Sequence, residues 1–297
     1  MKNIIKYLLE RIRNFFADPV LSFLKKQESD TQTLMQNSLT FQYRQMLSAG
    51  MKMPKLDEVG FSVYSESDED GILNYIFSLI GSTNKKLVDI GAAAIKGSNT
   101  ANLVINHGWT GTLIDGNTDA VESAKNFYST APSTRNFPPT ILSNWVTTDN
   151  INQILIKNES KGEIDLLCID IDGVDYWIWK AIDCIQPRVV LLEYQCIWGP
   201  EKAVTVPYSP TFKAQYFGRY GIYSGASLPA LIKLGKEKGY RLIGCQRYGY
   251  NAFFIRNDIK HNIFPEIPAY DCFKHPFTHW AQKKFLDNIK NMEWVDI

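Results

Sequence analysis

The stretch from Leu87 to Asn117 limits what this chain can fold into more than any other. It opens with Leu-Val-Asp-Ile-Gly and continues through small residues and a helix-compatible segment. It closes with Gly-Thr-Leu-Ile-Asp-Gly-Asn. Val88, Asp89 and Ile90 form a short apolar run broken at Gly91, and a second run at 112–114 ends in Asp115. Strand, glycine turn, helix, strand, acid is the order of a parallel βαβ unit, because parallel strands need a crossover. The ~20-odd residues between glycine and acid are the spacing at which a carboxylate clamps a ribose diol.

The pattern continues along the chain. Strands are expected at 87–90, 112–114, 140–146, 164–169, 189–193, 241–245 and 252–255. Helices are expected at 99–106, 118–127, 150–157, 175–184 and 227–238. The middle strands are unbroken apolar runs, as in a parallel sheet covered on both faces. Alternation of this kind predicts an open α/β sheet with right-handed crossovers. The last two runs are joined by a short turn containing Gly249, which reads as an antiparallel hairpin. The expected fold is a doubly wound, mostly parallel seven-stranded sheet with a terminal antiparallel hairpin and an N-terminal helical extension. At 297 residues with 45% hydrophobic and 21% charged side chains, the chain can fill such a core.

Three parts are expected: a helical extension over 1–60, the α/β domain over 61–260, and a C-terminal tail over 261–297. Within the domain, Ser67-Asp68-Glu69-Asp70 supplies a cap and early acids for an apolar stripe that Gly81 closes. The segment 195–224 breaks the rhythm with three prolines and many aromatics. It follows the carboxyl end of a strand, where open α/β sheets bind ligands, and is expected to be a substrate lid.

A net charge of +1 argues against a partner held by phosphate neutralisation, so no nucleic acid is expected. The five cysteines are odd in number and have no Cys-x-x-Cys spacing, which reads as reduced thiols in the cytoplasm. Residues 1–26 carry apolar residues at helical spacing with Lys2, Lys6, Arg11 and Arg13 between them. Two readings stand: a helix packed on the domain or on a second copy in a homo-oligomer, and an interfacial helix on an anionic membrane at its inner face. No run approaches the ~18 apolar residues of a membrane span.

Several pieces taken together resemble the FkbM-like group of class I S-adenosylmethionine-dependent methyltransferases. They are "VDIGA" with "SNTANLVINHGWTGTLIDGN", "IDLLCIDIDGVDYWIW", "RVVLLEY", "GASLPALIKLGKEKGYRLIGC" and "NAFFIRND", in order over 62–258. The resemblance implies S-adenosylmethionine as cofactor. It also implies O-methylation, in that group commonly of sugars or secondary metabolites, so a glycan or polyol-like small molecule is the expected acceptor. The glycine turn departs from the group's acid-x-Gly-x-Gly-x-Gly run. It keeps Asp89 and Gly91, then has Ala92, Ala93, Ala94 and Ile95 before Gly97. A second reading therefore stands beside the enzyme: a non-catalytic relative of the same fold that has lost its cofactor and binds partners.

On the enzyme reading the expected cofactor contacts are Asp89, Gly91, Gly97, Asn99, Asp115, Gly116, Trp145 and Asp170. Asp115 can accept both ribose hydroxyls in a charge-assisted contact, and would repel the 2′-phosphate of NADP. Trp145 either stacks on adenine or packs in the core. Asp170, Asp172 and Glu193 are the candidate catalytic residues, and three roles compete for them. One is a general base on the acceptor hydroxyl. Another is a Mg²⁺ or Ca²⁺ site that orients a diol. The third leaves Asp172 as a mere helix cap. Asp170 and Asp172 face the same side if the chain stays extended.

Overall fold

The computed structural model describes residues 18–92, 95–218 and 220–297. Most of the amphipathic 1–26 segment, and Ala93 and Ala94 of the glycine turn, lie outside the described residues. By internal contacts the chain divides into two units, Met1–Met51 and Lys52–Ile297.

The first unit contains one long helix, α1 (Asp18–Ser48). It includes 27–42, where the sequence shows little periodicity. Phe23, Leu34, Met35 and Phe41 are exposed along it among polar side chains. Helix-forming residues such as Gln, Leu, Met and Lys, rather than an apolar stripe, explain why the segment is helical. No described helix is long and apolar enough to cross a membrane.

The second unit opens with α2 (Glu69–Ile80), which ends at Gly81 with φ +67°. Strands and helices then alternate: β1 (Lys86–Ile90), α3 (Ala101–His107), β2 (Thr110–Asp115), α4 (Thr118–Thr130) and β3 (Thr140–Ser143). They continue through α5 (Ile151–Lys157), β4 (Gly162–Ile169), α6 (Asp175–Ala181) and β5 (Ile185–Glu193). Short strands β6 (Val204–Thr205), β7 (Gln215–Phe217) and β8 (Tyr220–Tyr223) follow. The chain finishes with α7 (Leu228–Glu237), β9 (Tyr240–Cys245), β10 (Asn251–Arg256), α8 (Pro276–Ile289) and β11 (Val295–Asp296).

The main sheet has seven strands in the order β3-β2-β1-β4-β5-β10-β9. The first five are parallel, and β10 runs antiparallel between β5 and β9. This is the class I methyltransferase sheet that the sequence leads one to expect. Both faces are covered, which explains the unbroken apolar runs. Val88 and Ile90 of β1, Leu167 and Ile169 of β4, and Val190 and Leu192 of β5 join one core cluster. Their neighbours Leu87, Leu166 and Leu191 are equally buried outside that cluster, as alternation along a strand requires.

One ion pair breaks the apolar interior. Asp165 of β4 and Arg188 of β5 meet at 2.7 Å. Burial alone would push Asp165 up, but Arg188 and the N–H groups of Thr83, Asn84 and Lys85 hold its carboxyl below the usual range. The strand order reverses between β1 and β4, and it is beyond the carboxyl ends of strands at such a reversal that open α/β sheets form a crevice.

Candidate functional site

Gly91 follows β1 at that crevice and Asp170 follows β4. Gly91 has φ +101°, and a Cβ on it would lie 1.8 Å from the Asp170 carbonyl oxygen. Only glycine fits both the conformation and the approach. The backbone of Asp170 is tied in turn to β1, its N–H donating to Ile90 O at 2.9 Å. Two cavities open around this junction, of about 660 Å³ and about 420 Å³. Gly91, Asp170 and Asp172 line both.

The smaller cavity holds Asp115, Gly116 and Trp145. Asp115 ends β2, and one of its carboxylate oxygens accepts the N–H of Asn117 at 2.7 Å. Gly116 lies under the indole, since a Cβ there would come within 2.8 Å of the Trp145 ring. Trp145 is 52% exposed. It belongs to the cavity wall and not to the core, because β3 ends at Ser143 and leaves Trp145 in the loop beyond it. Its Nε1–H donates to Pro210 O at 2.6 Å, which ties the 195–224 insertion to this wall. Phe212 of the insertion adds a second ring.

The glycine turn is braced from inside. Asp89 is 2% exposed and lines neither cavity. It accepts the hydroxyl of Thr100, the residue just before α3, and so ties β1 to the start of that helix. Burial raises its pKa to about 6 against the hydrogen bonds of Thr100 and Cys168, with Asp115 adding to the rise. Asp89 therefore braces the turn from within the core. Gly97 and Asn99 do line the larger cavity. The Gly97 N–H donates to Tyr64 O, and Asn99 Nδ2 donates to an Asp170 carboxylate oxygen at 3.0 Å.

The acids after β4 are not arranged as an extended chain would place them. Asp172 has φ +50°, a left-handed conformation that Asp tolerates better than most residues. Its carboxylate is turned towards Tyr216, whose hydroxyl donates at 3.3 Å. Nor does it cap α6. The residue before the helix is Val174, which makes no side-chain cap. Asp175, the first helical residue, instead braces the preceding loop by accepting the N–H groups of Ile171 and Gly173, both at 3.0 Å. Burial pushes Asp175 up to about 6 despite those bonds.

Glu193 ends β5 and lines the larger cavity. Burial raises both Asp170 and Glu193 well above the usual carboxylate range, and neighbouring carboxylates add to each. Among the described residues, no group of three His, Cys, Asp or Glu side chains is placed to hold a metal ion. The Mg²⁺ or Ca²⁺ alternative for Asp170, Asp172 and Glu193 is thus not what these side chains form. The left-handed turn takes the Asp172 carboxylate to Tyr216 instead.

Sequence alone leaves out much of the larger cavity. Glu66 lines it from the segment before α2, and Glu69 from the first turn of that helix. Glu69 doubles as the partner of Asn251 Nδ2 at 3.1 Å. Tyr216 and Tyr220 come from the β7–β8 hairpin, and Phe277 and Phe285 from α8. The insertion and the C-terminal segment are knitted together, because β6 pairs with β11. The density of acids in Ser-Glu-Ser-Asp-Glu-Asp over 65–70 was the available signal for Glu66 and Glu69; nothing local marked α8.

Two histidines take structural roles. His107 ends α3, but burial and Lys85 lower its pKa to about 4, so it is neutral near pH 7. Lys85 Nζ, not the imidazole, supplies charge at that helix end by donating to His107 O at 3.0 Å. His275 precedes α8, and its Nδ1 accepts the Phe277 N–H at 3.1 Å. A Tyr-x-x-x-Lys spacing, as in hydride-transfer sites, occurs at Tyr176 and Lys180. Tyr176 is buried in the core cluster, and neither residue lines a cavity.

The residues present fit S-adenosylmethionine. An acid stands where a ribose diol would lie, with an exposed indole beside it for a base. A glycine allows close approach at the junction, and carboxylates lie beyond it for a cationic centre. No protein-family model matches the sequence, and no curated protein matches it. Solved structures with a similar course of chain include the glycopeptide N-methyltransferase MtfA complexed with S-adenosyl-L-methionine, at 10% identity and TM-score 0.40, covering 64% of this chain and 93% of that one. Another is the mitomycin 7-O-methyltransferase MmcR, at 15% identity and TM-score 0.35, covering 60% of this chain and 50% of that one. A third is a SAM-dependent methyltransferase from Methanosarcina mazei, at 14% identity and TM-score 0.35, covering 57% and 90%. At such identity the likeness is one of fold, and the chemistry has to come from the residues.

Proposed function

We propose that the chain transfers a methyl group from S-adenosylmethionine to a hydroxyl of a glycan or polyol-like acceptor. One observation carries this reading: a cavity with Asp115 and Trp145 and a cavity with Asp170 and Glu193 meet at the Gly91–Asp170 contact. The smaller cavity takes the nucleoside and the larger takes the acceptor. The cofactor, when bound, supplies an activated methyl group. The chain's own task is therefore alignment and proton removal.

Asp115 holds the ribose hydroxyls and Trp145 stacks on the base. Gly91, Gly97 and Asn99 form the floor beneath the amino-acid end. Asp170 lies at the junction and receives the acceptor's hydroxyl proton at a carboxylate oxygen, with Asn99 orienting that group. A carboxylate held above its usual range is the stronger base once ionised. Asp172 and Glu193 grip further hydroxyls. Tyr216, Tyr220, Phe277 and Phe285 offer faces to the acceptor and exclude water. The free thiols suit work in the cytoplasm.

The test is turnover. Purified full-length protein with S-adenosylmethionine and a panel of glycans and polyols is expected to release S-adenosylhomocysteine, with the methyl found on oxygen by mass spectrometry. The rate should rise with pH as Asp170 ionises. Asp170→Asn should slow it by about 10²–10⁴-fold and flatten that rise. A rate unaffected by Asp170→Asn contradicts its role. No binding of S-adenosylhomocysteine, together with no turnover on any acceptor, would favour the partner-binding alternative that has lost its cofactor.

A further inference from the structure

Another cavity, of about 290 Å³, shares no lining residue with the two described above. Two of the five cysteines line it together: Cys245 at the end of β9, and Cys272 in the 3-10 turn Ala269–Phe273. They are 27 residues apart in the chain. Lys55, Asp57, Asp271 and Lys274 share the wall, so a small polar molecule meets a wettable surface there.

The two cysteines are in direct contact. The Cys245 thiol donates to the Cys272 carbonyl oxygen at 3.6 Å. The same oxygen accepts the Tyr194 hydroxyl at 3.3 Å. The thiols also act on each other. The Cys245 side chain, together with burial, pushes the Cys272 thiol well above its usual value. Cys272 is buried, whereas Cys245 is half-buried and reaches the cavity. Thiols sealed in apolar surroundings are inert, and access of this kind is what a reactive one needs. The remaining thiols are placed otherwise. Cys184 directs its Sγ to Asn152 O at 3.9 Å, and Cys168 lies beside Asp89. Cys196 is 4% exposed and belongs to the larger cavity. Among the described residues no group of three His, Cys, Asp or Glu could hold a metal ion, so the contact is between two free thiols.

We propose that Cys245 and Cys272 are a reversible redox pair, closed to a disulfide by a peroxide and reopened by a dithiol. The pair stands whether or not the chain transfers methyl groups. Cys245, the sulfur with access, attacks the peroxide. An S–O bond forms, the O–O bond breaks, and the leaving hydroxide takes up the thiol proton and departs as water. The Cys272 sulfur then attacks the sulfenic sulfur. An S–S bond forms, the S–O bond breaks, and the Cys272 proton leaves with the hydroxyl as a second water. The two thiols lose two electrons and the peroxide gains them. Such a bond in a reducing compartment is transient and serves sensing. It staples β9 to the turn that leads into α8, directly behind Tyr194 of the larger cavity.

The test is peptide mapping by mass spectrometry on the full chain after a few equivalents of hydrogen peroxide. Catalase stops the reaction, and unfolding in excess N-ethylmaleimide caps the thiols that remain. One cross-linked peptide joining Cys245 to Cys272 is expected, lost again on incubation with dithiothreitol. The thermal midpoint of the oxidised form should rise by a few degrees, because the bond closes a loop of the unfolded chain. Cys272→Ser should stop at a Cys245 sulfenic acid that dimedone traps, and Cys245→Ser should leave Cys272 reduced. Capping of both cysteines in the treated wild type would overturn the proposal. So would passage of Cys245 to a sulfinic acid without a cross-link, a bond from Cys245 to Cys196 instead, or a cross-link that lowers the midpoint.

Discussion

Gly91 and Asp170 are in backbone contact where the strand order of the sheet reverses, and a single added carbon on Gly91 would come within 1.8 Å of the Asp170 carbonyl oxygen. The two strand ends therefore close on each other, and the two cavities share one floor. Gly91→Ala adds that carbon on a backbone with φ +101°. We expect a loss of about 3 kcal/mol from strain and overpacking together. Urea unfolding measures it, and a loss under ~0.5 kcal/mol, the scatter of ordinary surface changes, would show that the contact is not tight.

Asp89 ties stability to pH. An unfolded aspartate ionises near pH ~4, whereas burial keeps Asp89 protonated up to about 6. Between those values the folded protein holds the extra proton. Its stabilising effect is fully present below pH ~4 and is lost as pH rises through about 6. The loss is of order 2–3 kcal/mol. Asp89→Asn removes this part of the pH dependence, so its unfolding free energy should fall less than that of the wild type between acid and neutral pH. An identical fall in both proteins would contradict the protonated state of Asp89.

On the proposed reading Trp145 stacks on the base of the cofactor. Trp145→Ala should weaken S-adenosylhomocysteine by about 1–3 kcal/mol, the range found for base–aromatic stacking. In the wild type, binding should also change tryptophan fluorescence. Unchanged affinity would return Trp145 to a tethering role through Pro210.

Much of this site is legible in the sequence where it depends on local order. Asp115 and Gly91 sit at strand ends that short apolar runs reveal, and both line the cleft. Trp145 was ambiguous because its place depends on where β3 stops, and the strand ends two residues before it. Asp172 was misplaced because residue type does not announce a left-handed backbone. Asn251 and Glu69 are 182 residues apart in the chain. Their meeting depends on β10 lying beside β5, and no local pattern could reveal it. For the same reason Phe277 and Phe285 of α8 join the acceptor wall unannounced.

The central claim is that a nucleoside lies in the smaller cavity with its sugar held by Asp115. Titration calorimetry of S-adenosylhomocysteine into wild type and Asp115→Ala tests it most directly, with circular dichroism to confirm that the variant is folded. Saturable binding by the wild type, weakened about tenfold or more in the folded variant through loss of charge-assisted hydrogen bonds, is the result expected. No heat of binding with the wild type, or equal affinity in the two proteins, would contradict the account.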